Sequence, residues 1–153
     1  EKFGTLEECF HKNMKNAGGD INVALSRFVS DLGGSSLRKG FLACPEKGSP
    51  CKRLYLYLRW MVREDEVDPG GWNSVSPSRL TVPLDTHMYR LSIKLGLTGR
   101  SQRDMKTAIE ITDAFREISP QDPVKYDFAL TRVGIINDRR MREFEDSLEE
   151  TAC

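Results

Sequence analysis

The stretch from Cys51 to Arg63 limits what this chain can become. Leu54, Tyr55, Leu56, Tyr57, Leu58, Trp60, Met61 and Val62 make it apolar on nearly every side of a helix. A helix of that kind is a core element that other helices must cover. Its charges are not scattered. Lys52, Arg59 and Arg63 are spaced by seven and four positions, so at ~100° per residue they lie within about 40° of one another. The spacing predicts one basic stripe on an otherwise buried helix.

The covering elements read as helices too. Thr5-Leu6-Glu7-Glu8 is a capping box that opens a short helix with Phe10 and Met14. Asp20 caps a second, whose apolar face is Ile21, Ala24, Leu25, Phe28 and Leu32, and Gly33-Gly34 stops it. A loop with Pro45, Gly48 and Pro50 leads into the central helix. Residues 64–84 form a long connection with turn chemistry at Asp68-Pro69-Gly70-Gly71-Trp72. Asp85 opens the next helix, to Leu95. A capping box at Ser101–Asp104 starts another that runs toward Glu117, and Asp122-Pro123 starts a further one carrying Val124, Phe128 and Ile135. A charged helix at about 139–149 closes the chain. No strand pair is evident, so the expected fold class is all-α, a single helical domain over 1–153 with 64–84 as a long loop within it.

A chain of 153 residues with 39% apolar and 30% charged side chains can bury a core and is not of disordered composition. No apolar run approaches the ~18–20 residues that cross a bilayer, and no basic-then-apolar leader precedes the first helix. The expectation is a cytoplasmic protein without membrane contact. The chain starts at Glu1 without a methionine, and upstream residues are part of the expectation. Cys9, Cys44, Cys51 and Cys153 form no C-x-x-C pair, and His11 and His87 are the two histidines. Neither a metal nor another cofactor is expected. Net charge is zero, yet residues 38–63 hold seven basic side chains against one acid, Glu46. Such segregation allows a basic surface for a polyanion, or helix faces whose charges balance in space.

Two residue types in this pattern can carry chemistry. Asp85, as an N-cap, accepts backbone N–H groups at the positive end of a helix dipole, which keeps it ionised. A fixed carboxylate of that kind can stabilise a developing cation. The plainer role is capping alone. Lys52 heads a mostly apolar helix, where partial desolvation would favour the neutral, nucleophilic amine. Lys47 in the preceding loop competes for that role, and a surface or phosphate-contacting lysine is the plainer alternative. His87 is a candidate phosphate contact. Trp60 and Trp72 read as core and loop anchors.

Four blocks in order, Cys51–Arg63, Asp68–Trp72, Pro83–His87 and Asp122–Asp127, resemble a conserved bacterial family of unknown function over about residues 11–134. Pro83–Leu97, PLDTHMYRLSIKLGL, is also similar to the part of the endonuclease III-like helix–hairpin–helix DNA glycosylases where a Pro/Val-Asp-Thr-His run opens a helix. That second resemblance spans about residues 45–97. It implies a helical domain of the glycosylase type, with Asp85 as the catalytic aspartate and Lys52 as the nucleophile. It also implies Lys47, Arg59, Arg63, His87, Arg90 and Lys94 as nucleic-acid contacts, and Tyr55 and Trp72 as base-pocket candidates. The chain departs from the pattern in three ways. Pro45 and Gly48 are the remaining traces of the hairpin glycine run, residues 64–84 widen the spacing, and there is no iron–sulfur cysteine cluster. Some archaeal 8-oxoguanine glycosylases carry a similarly long spacer. The expected activity is excision of a damaged base from double-stranded DNA, with strand cleavage where Lys52 forms a Schiff base. The alternatives are a non-catalytic nucleic-acid-binding module and a protein-interaction domain.

Overall fold

A computed structural model describes residues 3–33, 43 and 45–136, with the side chains of Lys47 and residues 133–136 excepted. Among the described residues six helices form: α1 (Leu6–Asn16), α2 (Ile21–Asp31), α3 (Lys52–Val62), α4 (Thr86–Lys94), α5 (Met105–Ile118) and α6 (Asp127–Ile136). Short 3-10 turns lie at Pro45–Lys47 and Pro77–Arg79. Among the described residues the only extended pairing is an isolated bridge, Glu64 with Pro69. The fold class is all-α, as the sequence implies.

Caps account for most helix starts. Thr5 and Glu8 satisfy each other's backbone N–H groups at the head of α1, and Asp20 accepts from Asn22 and Val23 at α2. α5 starts later than the sequence suggests. Its N-cap is Asp104, which accepts from Thr107 N–H at 2.9 Å, rather than Ser101. α6 also starts later, at Asp127 instead of Pro123. The Asp122 carboxylate is taken by Arg63 Nε at 2.8 Å and does not cap, so residues 122–126 make turns. The expected helix at 139–149 lies outside the described residues.

α3 does sit against the core, with Leu54, Tyr55, Leu58 and Val62 buried. Phe10 meets Phe28 edge-on at 5.4 Å. Trp72 lies 5.7 Å from Phe10 and 5.6 Å from Tyr57, so the loop aromatic completes the α1–α2–α3 cluster. The connection 64–84 is pinned: Trp72, Val75, Leu80, Val82 and Leu84 are all buried. It folds back so that Gly70 N–H reaches Trp60 O at 2.9 Å and Trp72 N–H reaches Met61 O at 2.8 Å, which satisfies carbonyls at the end of α3. Gly70 is required there. Its φ is +70°, and a Cβ would stand 2.7 Å from that of Glu64.

Candidate functional site

Asp85 ends the buried Val82-Pro83-Leu84 segment and caps α4. Its Oδ1 accepts from Met88 N–H at 2.8 Å. Its Oδ2 accepts from Lys52 Nζ at 2.9 Å. The two residues are 33 positions apart, and two helix heads bring them together. Burial works against charge on Asp85, but the Met88 N–H, the Lys52 ammonium and His87 outweigh it and hold the carboxyl below its ordinary range. Lys52 is not desolvated as expected: its side chain keeps 45% of its exposure, against 12% for Asp85. Cys51, just before Lys52, holds φ at +43°, a left-handed conformation unusual for a residue with a Cβ. It turns the chain sharply into α3 and fixes where that first helical residue stands.

The pair lies on the wall of a cavity of about 710 Å³ between α3, α6, the 64–70 turn and the Pro83–Asp85 segment that leads into α4. That volume falls within the range of small-molecule pockets, about 300–1,000 Å³. Leu56, Trp60, Met61, Val67, Pro83 and Phe128 give it apolar walls, and Lys52, Asp85, Asp127 and Arg59 supply charge. Trp60 is 42% exposed and faces this space, which corrects its expected role as a core anchor. Arg132, on α6, also lines it, with its guanidinium 5.6 Å from the Phe128 ring.

Arg59 and Arg63 are not a surface stripe for phosphates. They are buried at 3% and 7% exposure. Arg59 donates through Nε (3.1 Å) and Nη2 (2.9 Å) to Asp68 Oδ1 and through Nη1 to Asp127. Arg63 donates to Asp68, to Asp65 at 2.7 Å and to Asp122 at 2.8 Å. Asp68, fully buried, bridges the two guanidiniums. Their positions on α3 follow the spacing seen in sequence, but the 64–70 turn and the α5–α6 turn bring four carboxylates over them. Buried guanidiniums need such partners.

Tyr55 is not a base-pocket residue: it is 1% exposed, its hydroxyl donates to Asn22, and burial pushes its pKa up. Trp72 is likewise buried in the α1–α3 cluster and does not line the cavity. His87 is half-buried in the first turn of α4, near enough to support the charge on Asp85. Arg90 and Lys94 are exposed on α4 away from the cavity lining. The Lys47 side chain lies outside the described residues. Beyond the expected set, Arg103 donates to Thr86 Oγ1 at 2.5 Å, beside Asp85. Asp127 enters the cavity wall from α6. Its sequence signal was the acid that closes the Asp122–Asp127 block.

Residues 1–136 match a family described as protein of unknown function (DUF2400). The chain belongs to this family. No curated protein and no solved structure matches it. The DUF2400 assignment carries no activity, so the chemistry of the Lys52–Asp85 cavity is what bears on function. No helix among the described residues is long and apolar enough to cross a membrane.

Proposed function

We propose that this chain is a DNA glycosylase-like enzyme that excises a damaged base, with a helical domain of the helix–hairpin–helix glycosylase type. The observation that carries the reading is the 2.9 Å approach of the Lys52 amine to the Asp85 carboxylate on the wall of one cavity. An amine and a fixed carboxylate side by side supply what cleavage of an N-glycosidic bond needs. As the bond breaks, positive charge develops on the sugar. Asp85, held ionised by Met88 N–H and its cationic neighbours, stabilises that charge. Lys52, once deprotonated, attacks the anomeric carbon from its half-exposed position. The attack displaces the base, and opening of the sugar ring, in which the ring carbon–oxygen bond breaks, turns the adduct into a Schiff base that permits strand cleavage.

The rest of the cavity suits an extruded base. Its walls are mostly apolar, and Trp60 and Phe128 present aromatic surface to it. A planar base leaving the duplex is held by such surfaces. The loop that contains Gly48 leads into α3 and is tied to the head of α5, since Met105 N–H donates to Gly48 O at 3.1 Å. In this reading that loop is the counterpart of the superfamily's hairpin. His87, Arg90, Lys94 and Lys47 remain the nucleic-acid contacts of this reading, and double-stranded DNA in the cytoplasm is its partner.

The test is a panel of duplexes, each with one lesion, incubated with the wild type and with Asp85→Asn. The wild type is expected to release a base from at least one duplex. Asp85→Asn is expected to lose excision by about 10²-fold or more with duplex affinity unchanged. Salt-dependent binding without release from any duplex would instead favour a non-catalytic nucleic-acid module.

A further inference from the structure

The cavity holds a second carboxylate that the mechanism above does not use. Asp127 opens α6 and is 5% exposed. One of its oxygens, Oδ2, accepts from Arg59 Nη1. Among the described residues, the other oxygen has one hydrogen-bond partner, the Thr131 hydroxyl at 3.5 Å. Asp127 lines the same space as Lys52 and Asp85. The charged groups around it come from every neighbouring element: Lys52 and Arg59 from α3, Asp85 from the head of α4, Arg132 from α6 itself, and Asp68 behind Arg59.

We propose that Asp127 is the proton carrier of the site, taking a proton from Lys52 and delivering it to the departing base. The inference rests on the glycosylase-like reading of the cavity. Lys52 must lose a proton before its nitrogen can attack, and a departing base must gain one. Asp85 is poorly suited to both transfers, because backbone and side-chain donors stabilise its ionised form. Asp127 is in the opposite situation. Burial pushes its carboxyl up to about 6, in spite of Arg59, with Asp85 adding to the rise and Lys52 opposing it. Two carboxylates whose surroundings push their acidities apart take different roles, one staying ionised and the other exchanging protons. A group that titrates close to the working pH exchanges protons most effectively.

The step balances. The Lys52 ammonium gives a proton to the Asp127 carboxylate and becomes the free amine. The amine lone pair forms a bond to the anomeric carbon as the carbon–nitrogen bond to the base breaks. The electron pair of that bond goes to the base nitrogen, which takes the proton from Asp127. Lys52 is then joined to the sugar as a protonated secondary amine, the base leaves neutral, and Asp127 is again a carboxylate.

Single-turnover excision by the wild type and Asp127→Asn, followed over about pH 5 to 8, tests the assignment. Asparagine keeps an oxygen for Arg59 but cannot carry the proton. Excision is expected to slow by about 10²-fold, with duplex binding unchanged. The wild-type profile should bend near pH 6 and the variant profile should not. A wild type that excises, beside a variant with the same rate and the same bend, would overturn the role of Asp127 and leave the Lys52–Asp85 reading standing. A wild type that excises nothing overturns that reading, and this inference with it. A second measurement needs no variant. In a pH titration of the wild type by carbon NMR, the Asp127 carboxyl signal should show an inflection near pH 6. Its absence would also count against Asp127.

Discussion

The two ends of the α3 basic stripe have opposite fates. Lys52 stands at the head of the helix, nearly half exposed, with a single described carboxylate partner, Asp85. About two and three turns further on, Arg59 and Arg63 are sealed under Asp65, Asp68, Asp122 and Asp127. All three lie on one face by helical geometry. What separates them is the chain that follows α3. The 64–70 turn folds back on the helix end and carries Asp68 into the space between the two guanidiniums, while the α3 head stays uncovered beside the cavity. One set of charges became structure and the other stayed accessible to a ligand. Asp127 belongs to both, since it pairs with Arg59 and faces the cavity with Lys52.

The largest expected effect lies at the sealed end. Asp68→Ala removes the shared partner of two buried arginines, and breaking a buried pair in this way costs about 3–5 kcal/mol. Urea denaturation measures it. A loss below about 1 kcal/mol would mean that the guanidiniums reach water without Asp68. Asp127 comes next, and its pH dependence has a definite sign. Its folded pKa, about 6, lies above its ordinary value of about 3.9. Its contribution to stability is therefore fully present below about pH 4 and is lost as pH rises through 6. Relative to Asp127→Asn, the wild type should lose about 3 kcal/mol between those limits. Asp85 has the opposite sign, because its carboxyl is held low. Its contribution is present above about pH 4 and disappears as pH falls through its folded pKa.

A smaller effect is expected at the turn that creates the difference. Gly70→Ala forces a Cβ into a left-handed position and against Glu64, at a cost of about 1–3 kcal/mol. Because the turn carries Asp68, the loss should be partly shared with Asp68→Ala in a double-mutant cycle. The smallest stability effect belongs to the open end. Lys52→Gln breaks a half-exposed pair, worth under about 1 kcal/mol. A melting temperature shifted as far as by Asp68→Ala would erase the contrast between the two ends.

Much of this arrangement could be read from the residues. Capping chemistry at Thr5, Asp20 and Asp85 set helix starts that the structure keeps, and the apolar run of α3 identified a core helix. The basic face of α3 was also legible, but its surroundings were not. Whether an arginine meets water or four aspartates depends on where residues 65, 68, 122 and 127 travel, and periodicity within one helix carries no such information. The exposure of Trp60 was illegible for the same reason, whereas Trp72 is the loop anchor that its turn suggests. Trp60 sits in an apolar run yet faces the cavity, while Trp72, in the turn after α3, is buried against Phe10. The Lys52–Asp85 juxtaposition spans 33 residues and came from family resemblance rather than from pattern. Asp127 was visible as the last residue of the Asp122–Asp127 block, but its place on the cavity wall with Lys52 needed the tertiary fold.

The central claim is that the open end of the stripe reacts with a sugar carbon. Borohydride trapping on duplexes containing a lesion or an abasic site addresses it most directly, with the adduct located by peptide mass spectrometry. A covalent protein–DNA adduct at Lys52 is expected, absent from Lys52→Gln although that variant remains folded. An adduct formed equally well by Lys52→Gln, or no adduct from the wild type on any duplex, would contradict it.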